Sequence, residues 1–100
     1  MKNESEKFKK ELIEVIHRVA RDKNLLQDFI HDILTHREFE NISVRWQIVK
    51  RLLNRESQRT IAQDLNIGIG TVTRGSRVLL NREGGFQKVY AKQSPKKKGK

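Results

Sequence analysis

Apolar residues recur every three or four positions through most of the chain, and polar interruptions divide them into helical stripes. Phe8, Leu12, Val15, Ile16 and Val19 form the first, and Leu25, Leu26, Phe29, Ile30, Ile33 and Leu34 the second. The second begins after Asp22-Lys23-Asn24, whose polar side chains can cap a first turn. Thr35 to Asn41 is polar and reads as a connection. A third stripe, Val44, Ile48, Val49, Leu52 and Leu53, starts behind Asn41 or Ser43. A short helix, a tight turn and another helix follow. Gly84-Gly85 then interrupts the pattern, with room for one more turn over Phe86 to Ala91. Nothing alternates with period two, so the pattern predicts an all-α fold of five to six helices. Residues 1–92 are expected to form a single helical domain, followed by a disordered basic tail over residues 93–100.

The stripes before residue 35 are wide for their length. Six apolar residues among the ten from Leu25 to Leu34 exceed what one neighbouring helix covers, and a homodimer would bury the surplus. Charge adds a second asymmetry. Residues 1–49 carry nine Lys/Arg and nine Asp/Glu, whereas residues 50–100 carry thirteen against three, so the whole net charge of +10 lies in the second half. Lysines and arginines that neutralise phosphates release condensed counterions, which makes a nucleic acid the favoured partner. The competing readings are a solvated surface and an acidic membrane or protein. There is no cysteine, which removes disulfides and thiolate chemistry. No apolar run is long enough for a membrane span, and the polar first ten residues lack the apolar block of a secretory signal. The expected location is cytoplasmic and nucleoid-associated, with no membrane partner.

The segment from Ser57 to Leu80 has the order of positions that a helix-turn-helix needs. Two helices crossing steeply require a small residue at the contact, and Ala62 supplies it. The turn requires a residue that tolerates left-handed backbone, and Asn66 does so at low cost. Ile61, Leu65, Ile67, Val72 and Leu79 are the expected buried contacts. Gly70, Thr71, Thr73, Arg74 and Arg77 remain on the other face of the second helix, which is short, polar and basic. Small residues there allow close approach to base edges, while threonine and arginine can donate to bases and phosphates. A plain helical hairpin packed in a core is the alternative.

Leu52-Leu53, Ser57-Gln58-Arg59 and above all Ile69-Gly70-Thr71-Val72-Thr73-Arg74-Gly75-Ser76 resemble the Trp repressor family. The likeness extends more loosely through Val44-Arg45 and Leu34-Thr35, covering residues 25–80. It implies an intertwined helical homodimer that represses transcription by binding a palindromic double-stranded DNA operator, with L-tryptophan as the amino-acid corepressor. In that family two arginines sandwich the indole and bind the carboxylate; here they fall on Arg45 and Arg74. Leu34, Thr35 and Gly75 fall on its other pocket positions, the first two contributed by the partner subunit. The family's DNA-facing positions fall on Arg59, Ile69, Gly70 and Thr73, with Asn66 and Ile67 in the turn. Three positions depart from the family pattern. Ala62 stands where the family has a phosphate-contacting lysine, and the Asn54-Arg55-Glu56 connection is shorter. Val78 replaces a pocket serine, removing a hydroxyl worth about 1.5–3 kcal/mol against a ligand's ammonium group, so another indole or aromatic amino acid, or no small-molecule effector, is the alternative to L-tryptophan.

The remaining chemistry-bearing residues form no motif. His17, His31 and His36 lack the i, i+3 or i+4 spacing of a metal pair, so no metal or resident cofactor is expected. Asp22, Asp28, Asp32, Glu38 and Glu40 match no grouped nuclease pattern, and the chain does not read as an enzyme. Gly68, Gly70 and Gly75 either loosen the recognition helix or mark close packing. Arg45 and Arg74 also have an ordinary reading as solvated or phosphate-binding arginines. Trp46 lies off the main stripe, as a dimer contact or a packed edge residue. Lys96-Lys97-Lys98-Gly99-Lys100 would raise nonspecific DNA affinity without base specificity, and a nonspecific basic nucleic-acid-binding module is the competing class.

Overall fold

The structure is a computed structural model and describes residues 2–93. Six helices make up most of it, in the order α1 (Lys2–Val19), α2 (Lys23–Ile33), α3 (His36–Leu53), α4 (Gln58–Leu65), α5 (Ile69–Val78) and α6 (Gly85–Gln93). The described residues contain no strand, so the all-α expectation holds. No helix among them is long and apolar enough to cross a membrane. Contacts divide the chain into two compact units, the first ending at Glu40 and the second beginning at Asn41, a boundary that falls inside α3.

The first unit is organised by local devices. Asp22 caps α2 as expected, its Oδ1 accepting from the Leu25 amide at 3.2 Å. The start of α3 differs from the sequence expectation: the supposed connection from Thr35 to Asn41 is mostly helix. Its cause is a capping box, in which Thr35 Oγ1 accepts from the Glu38 amide at 3.1 Å. Glu38 Oε1 reciprocates, accepting from the Thr35 amide at 2.8 Å. Two of the donors left open at a helix start are thereby satisfied, and the mostly polar turn becomes helical with Phe39 as its one large apolar residue. His31 meets Phe39 edge-on, with ring centroids 5.6 Å apart, and His36 pairs with Glu40 at 3.3 Å. The α1 and α2 stripes hold no fully buried residue among those described: Phe8, Leu12, Leu25 and Ile33 are exposed and the other stripe residues are half-buried.

The second unit holds the core. Ile48 of α3, Ile61 and Ala62 of α4 and Val72 of α5 form one buried cluster, with Leu52, Leu65 and Ile67 packed against it. Ala62 lies at the α4 and α5 contact as predicted. Leu79 does not join the cluster; it closes α5 and is only half-buried, and Ile48 from the preceding helix occupies the core instead. The last helix is longer than the single turn expected, because α6 continues to Gln93. That residue opens the expected basic tail, the rest of which lies outside the described residues.

Candidate ligand cavity and nucleic-acid interface

The helix-turn-helix is set by its ends. Ser57 Oγ accepts from the Thr60 amide at 3.0 Å and so starts α4. Asn66, with φ 57° and ψ 49°, closes it in the left-handed conformation anticipated from the sequence. The amides of Asn66 and Ile67 then reach back to the carbonyls of Gln63 and Ala62 at 3.2 and 3.0 Å. This 5→2 and 6→1 pair is the Schellman arrangement, and it directs Ile67 onto the core. The same arrangement ends α3 at a residue the sequence did not single out. Arg55 has φ 70°, and the amides of Arg55 and Glu56 return to Leu52 and Arg51 at 2.9 and 3.1 Å.

An ion cluster braces the two turns. Arg51 Nε donates to Glu56 Oε1 at 2.7 Å, and Arg51 Nη2 reaches Asp64 Oδ2 at 2.5 Å. These hydrogen bonds, first to Glu56 and then to Asp64, raise the guanidinium's pKa above its ordinary value. Arg51 therefore ties the end of α3 to α4, the helix that packs against α5. A second tie runs between α4 and α5. Thr73 Oγ1 lies 2.8 Å from Gln58 Oε1 and 3.0 Å from the Ile69 carbonyl, acceptors that share its single proton.

Among the residues assigned to DNA, Arg59, Asn66, Ile69, Gly70, Thr71 and Arg77 are exposed, while Thr73 and Ile67 are half-buried. Gly70 has open space where a Cβ would stand, so packing does not require glycine there. Gly75 is different: an added Cβ would lie 2.9 Å from Ile48 Cγ2, a branch close to the backbone of α3. Of the two readings of the glycines, close packing applies to Gly75, whereas Gly68 and Gly70 face open space.

Beside α5 lies a cavity of about 440 Å³. Helix α3 contributes Val44, Arg45, Ile48 and Val49 to its lining, and α5 contributes Thr71, Arg74, Gly75 and Val78. Phe86 of α6 completes it. Three of the residues assigned to the ligand, Arg45, Arg74 and Gly75, thus meet around one cavity. Leu34 and Thr35 lie in the first unit, where Thr35 is occupied as the α3 cap. Thr71, Arg74 and Val78 follow one another along one face of α5, at helical spacings of three and four. The lining carries two guanidinium groups and no carboxylate, a setting suited to an anion with an apolar body. Sequence reasoning placed Val78 at this site as a departure and missed Phe86, whose position depends on a long-range contact. Its ring stacks on Trp46 with centroids 6.2 Å apart and planes tilted by 31°, which makes Trp46 a packed, half-buried residue.

The Trp repressor protein family matches residues 8–94, nearly the whole chain and the cavity and helix-turn-helix together. A Trp operon repressor homolog of Haemophilus influenzae (strain PittEE) is 34% identical over 70 residues, 69% of each chain. One of Mannheimia succiniciproducens is 41% identical over 63 residues, 62% of each chain. One of Chlamydia trachomatis serovar L2 is 29% identical over 94 residues, covering 93% of this chain and 99% of its own. Taken with the six-helix fold and a helix-turn-helix closed at Asn66, this match establishes that the chain belongs to the Trp repressor family, a family of regulators rather than enzymes.

Proposed function

We propose that the protein is a sequence-specific, DNA-binding transcriptional repressor that acts as a homodimer and is switched by an aromatic amino acid, with L-tryptophan as corepressor. The observation that carries this reading is the joint position of Arg45 and Arg74 on the α3 and α5 walls of one cavity. A guanidinium can stack on an aromatic ring and also pair with a carboxylate, so two of them suit an indole bearing a carboxyl group. Leu34 and Thr35 would complete the pocket from the partner subunit. A second copy also accounts for the exposed α1 and α2 stripes.

The same helix would carry both functions. Thr71, Arg74 and Val78 line the cavity, while Ile69, Gly70, Arg77 and the half-buried Thr73 provide the face for the major groove. Arg59, Asn66 and Ile67 provide the approach from α4 and its turn. A ligand between α3 and α5 would favour the orientation of α5 that lets two recognition helices meet successive grooves about 34 Å apart. It can shift that equilibrium only by its differential affinity for the two orientations. Operator DNA and the chain would then meet in the compartment that holds the chromosome.

The test pairs calorimetry with DNA binding, using a duplex selected from a random pool in the presence of L-tryptophan. The expected result is one L-tryptophan per subunit and tighter DNA binding when it is bound. Arg74→Ala should abolish ligand binding and ligand dependence. Arg59→Ala should weaken DNA binding while leaving ligand affinity unchanged. Parallel loss of both activities in Arg59→Ala would reject the separate roles, and unchanged ligand affinity in Arg74→Ala would reject the pocket. Val78 supports a second reading, a helix-turn-helix repressor with a different effector, because its side chain offers a ligand's ammonium group no acceptor. DNA selection without any response to L-tryptophan would favour it.

A further inference from the structure

The arginines of the cavity come from α3 and α5, but its one aromatic lining residue comes from α6. We infer that Phe86 is a ligand-contacting residue that sets the size of the ring this cavity accepts, an inference that rests on the corepressor reading above. Phe86 is half-buried and stacks on Trp46 of α3 while also lining the cavity. Its position is fixed by attachments to the elements that form the other walls. Gln87 Nε2 donates to the Leu79 carbonyl at the end of α5 at 3.0 Å. The Tyr90 hydroxyl donates to Asn54 Oδ1, just beyond the end of α3. A wall held to both neighbours does not swing away to admit a larger ligand, so the Phe86 ring bounds the cavity on its α6 side.

The chemistry on the two sides is complementary. Arg45 and Arg74 recognise charge and the face of a ring, and Phe86 adds an apolar aromatic surface against which a planar ligand packs edge-on or offset. Val78 on α5 extends the same apolar surface. The site therefore selects a carboxylate joined to an aromatic group that ends at Phe86.

The experiment is calorimetric titration of the full chain with L-tryptophan and with the bulkier 5-benzyloxy-L-tryptophan, alongside thermal unfolding of each variant. The unsubstituted protein is expected to bind L-tryptophan and to bind the bulkier ligand measurably but far more weakly. Phe86→Ala should weaken L-tryptophan by about tenfold, and the space it opens should admit the bulkier ligand at least as well. Phe86→Leu keeps an apolar side chain against Trp46 and covers the case in which the alanine variant fails to fold. It should show a smaller loss and a smaller change of preference. A purely structural staple would lower both affinities together without changing their ratio, and that result in folded Phe86→Leu would overturn the inference. L-tryptophan binding with unchanged size preference in folded Phe86→Ala would overturn it while leaving the corepressor reading intact. Heat from neither ligand with the unsubstituted protein would overturn both.

Discussion

In α1 and α2 the apolar positions repeat at helical spacing, yet Phe8, Leu25 and Ile33 stay exposed at 67, 49 and 47%. In α3 to α5 the same kind of spacing leaves Ile61 and Val72 with no exposed surface at all. Periodicity is common to both regions; what differs is whether the chain supplies the opposing surface. The second unit closes on itself because α4 turns sharply at Asn66 and lays α5 across Ala62. The first unit has an N-cap at Asp22 and a capping box at Thr35 to define its helices, but no fully buried residue of its own among those described. A periodic stripe therefore predicts a helix and a buried face, without saying which molecule buries it.

The largest effect that would break this contrast is a charge placed on the first unit's apolar face. Leu25→Glu puts an acid in the first turn of α2, where it favours the helix dipole, so any loss must come from contacts beyond the helix. On a solvated face such a change stays within about 0.5 kcal/mol. In a symmetric dimer each copy loses the burial of a leucine, about 2 kcal/mol, and the interface loses it twice. The expected outcome is dissociation by roughly three orders of magnitude in dimer affinity, read by sedimentation equilibrium. Unchanged self-association would mean that this face is not covered by a second copy.

Within the second unit, Gly75 and Gly70 lie one and a half turns apart on α5 and should respond in opposite directions. Gly75→Ala forces its Cβ against Ile48 Cγ2 and is expected to cost about 1–3 kcal/mol, measured by urea unfolding. Gly70→Ala meets open space and should gain about 0.5–1 kcal/mol from helix propensity. If Gly70 approaches DNA, the same variant should nevertheless weaken operator binding, a separation of stability from function that Gly75 cannot show.

A smaller effect tests the local order of the first unit. Thr35→Ala removes the hydroxyl half of the capping box and should cost about 1 kcal/mol of stability. Circular dichroism should show fraying at the start of α3. If Thr35 also contacts a ligand from the partner subunit, ligand affinity would fall in the same variant. Glu38→Ala breaks the other half of the box and would leave a direct Thr35 contact in place.

Much of this was legible in the chain because the relevant signals are local. Ser57 at the start of α4, Ala62 at the crossing and Asn66 in the turn each have a residue type that states its role. Arg45, Arg74 and Gly75, singled out together in the sequence, line one cavity. The misreadings have physical causes. Thr35 to Asn41 has Phe39 as its one large apolar residue, and weighing composition over the Thr-x-x-Glu spacing turned a helix start into a loop. Leu79 was expected among the buried contacts, but it closes α5 half-buried, while Ile48 of α3 joins the core cluster. Phe86 follows two glycines that break the pattern, and contacts distant in sequence, with Trp46 and through Gln87 and Tyr90, hold it at the cavity.

Arg55 offers the finest test, because it concerns a closure that the second unit makes with an unfavourable residue. At φ 70° its Cβ crowds the backbone, a conformation in which arginine costs roughly 1 kcal/mol more than glycine. Arg55→Gly removes that cost but gives the unfolded chain more freedom, which offsets part of the gain. The net expectation is stabilisation by about 0.5 kcal/mol, visible as a small rise in the urea midpoint with unchanged slope. Arg51, Glu56 and Asp64 keep their ion cluster in this variant, so the position of α4 should be preserved. Stabilisation with unaltered DNA affinity would mark Arg55 as a strained link in the turn. Loss of DNA affinity despite a more stable fold would instead show that the arginine is kept at that backbone cost for its charge beside the helix-turn-helix.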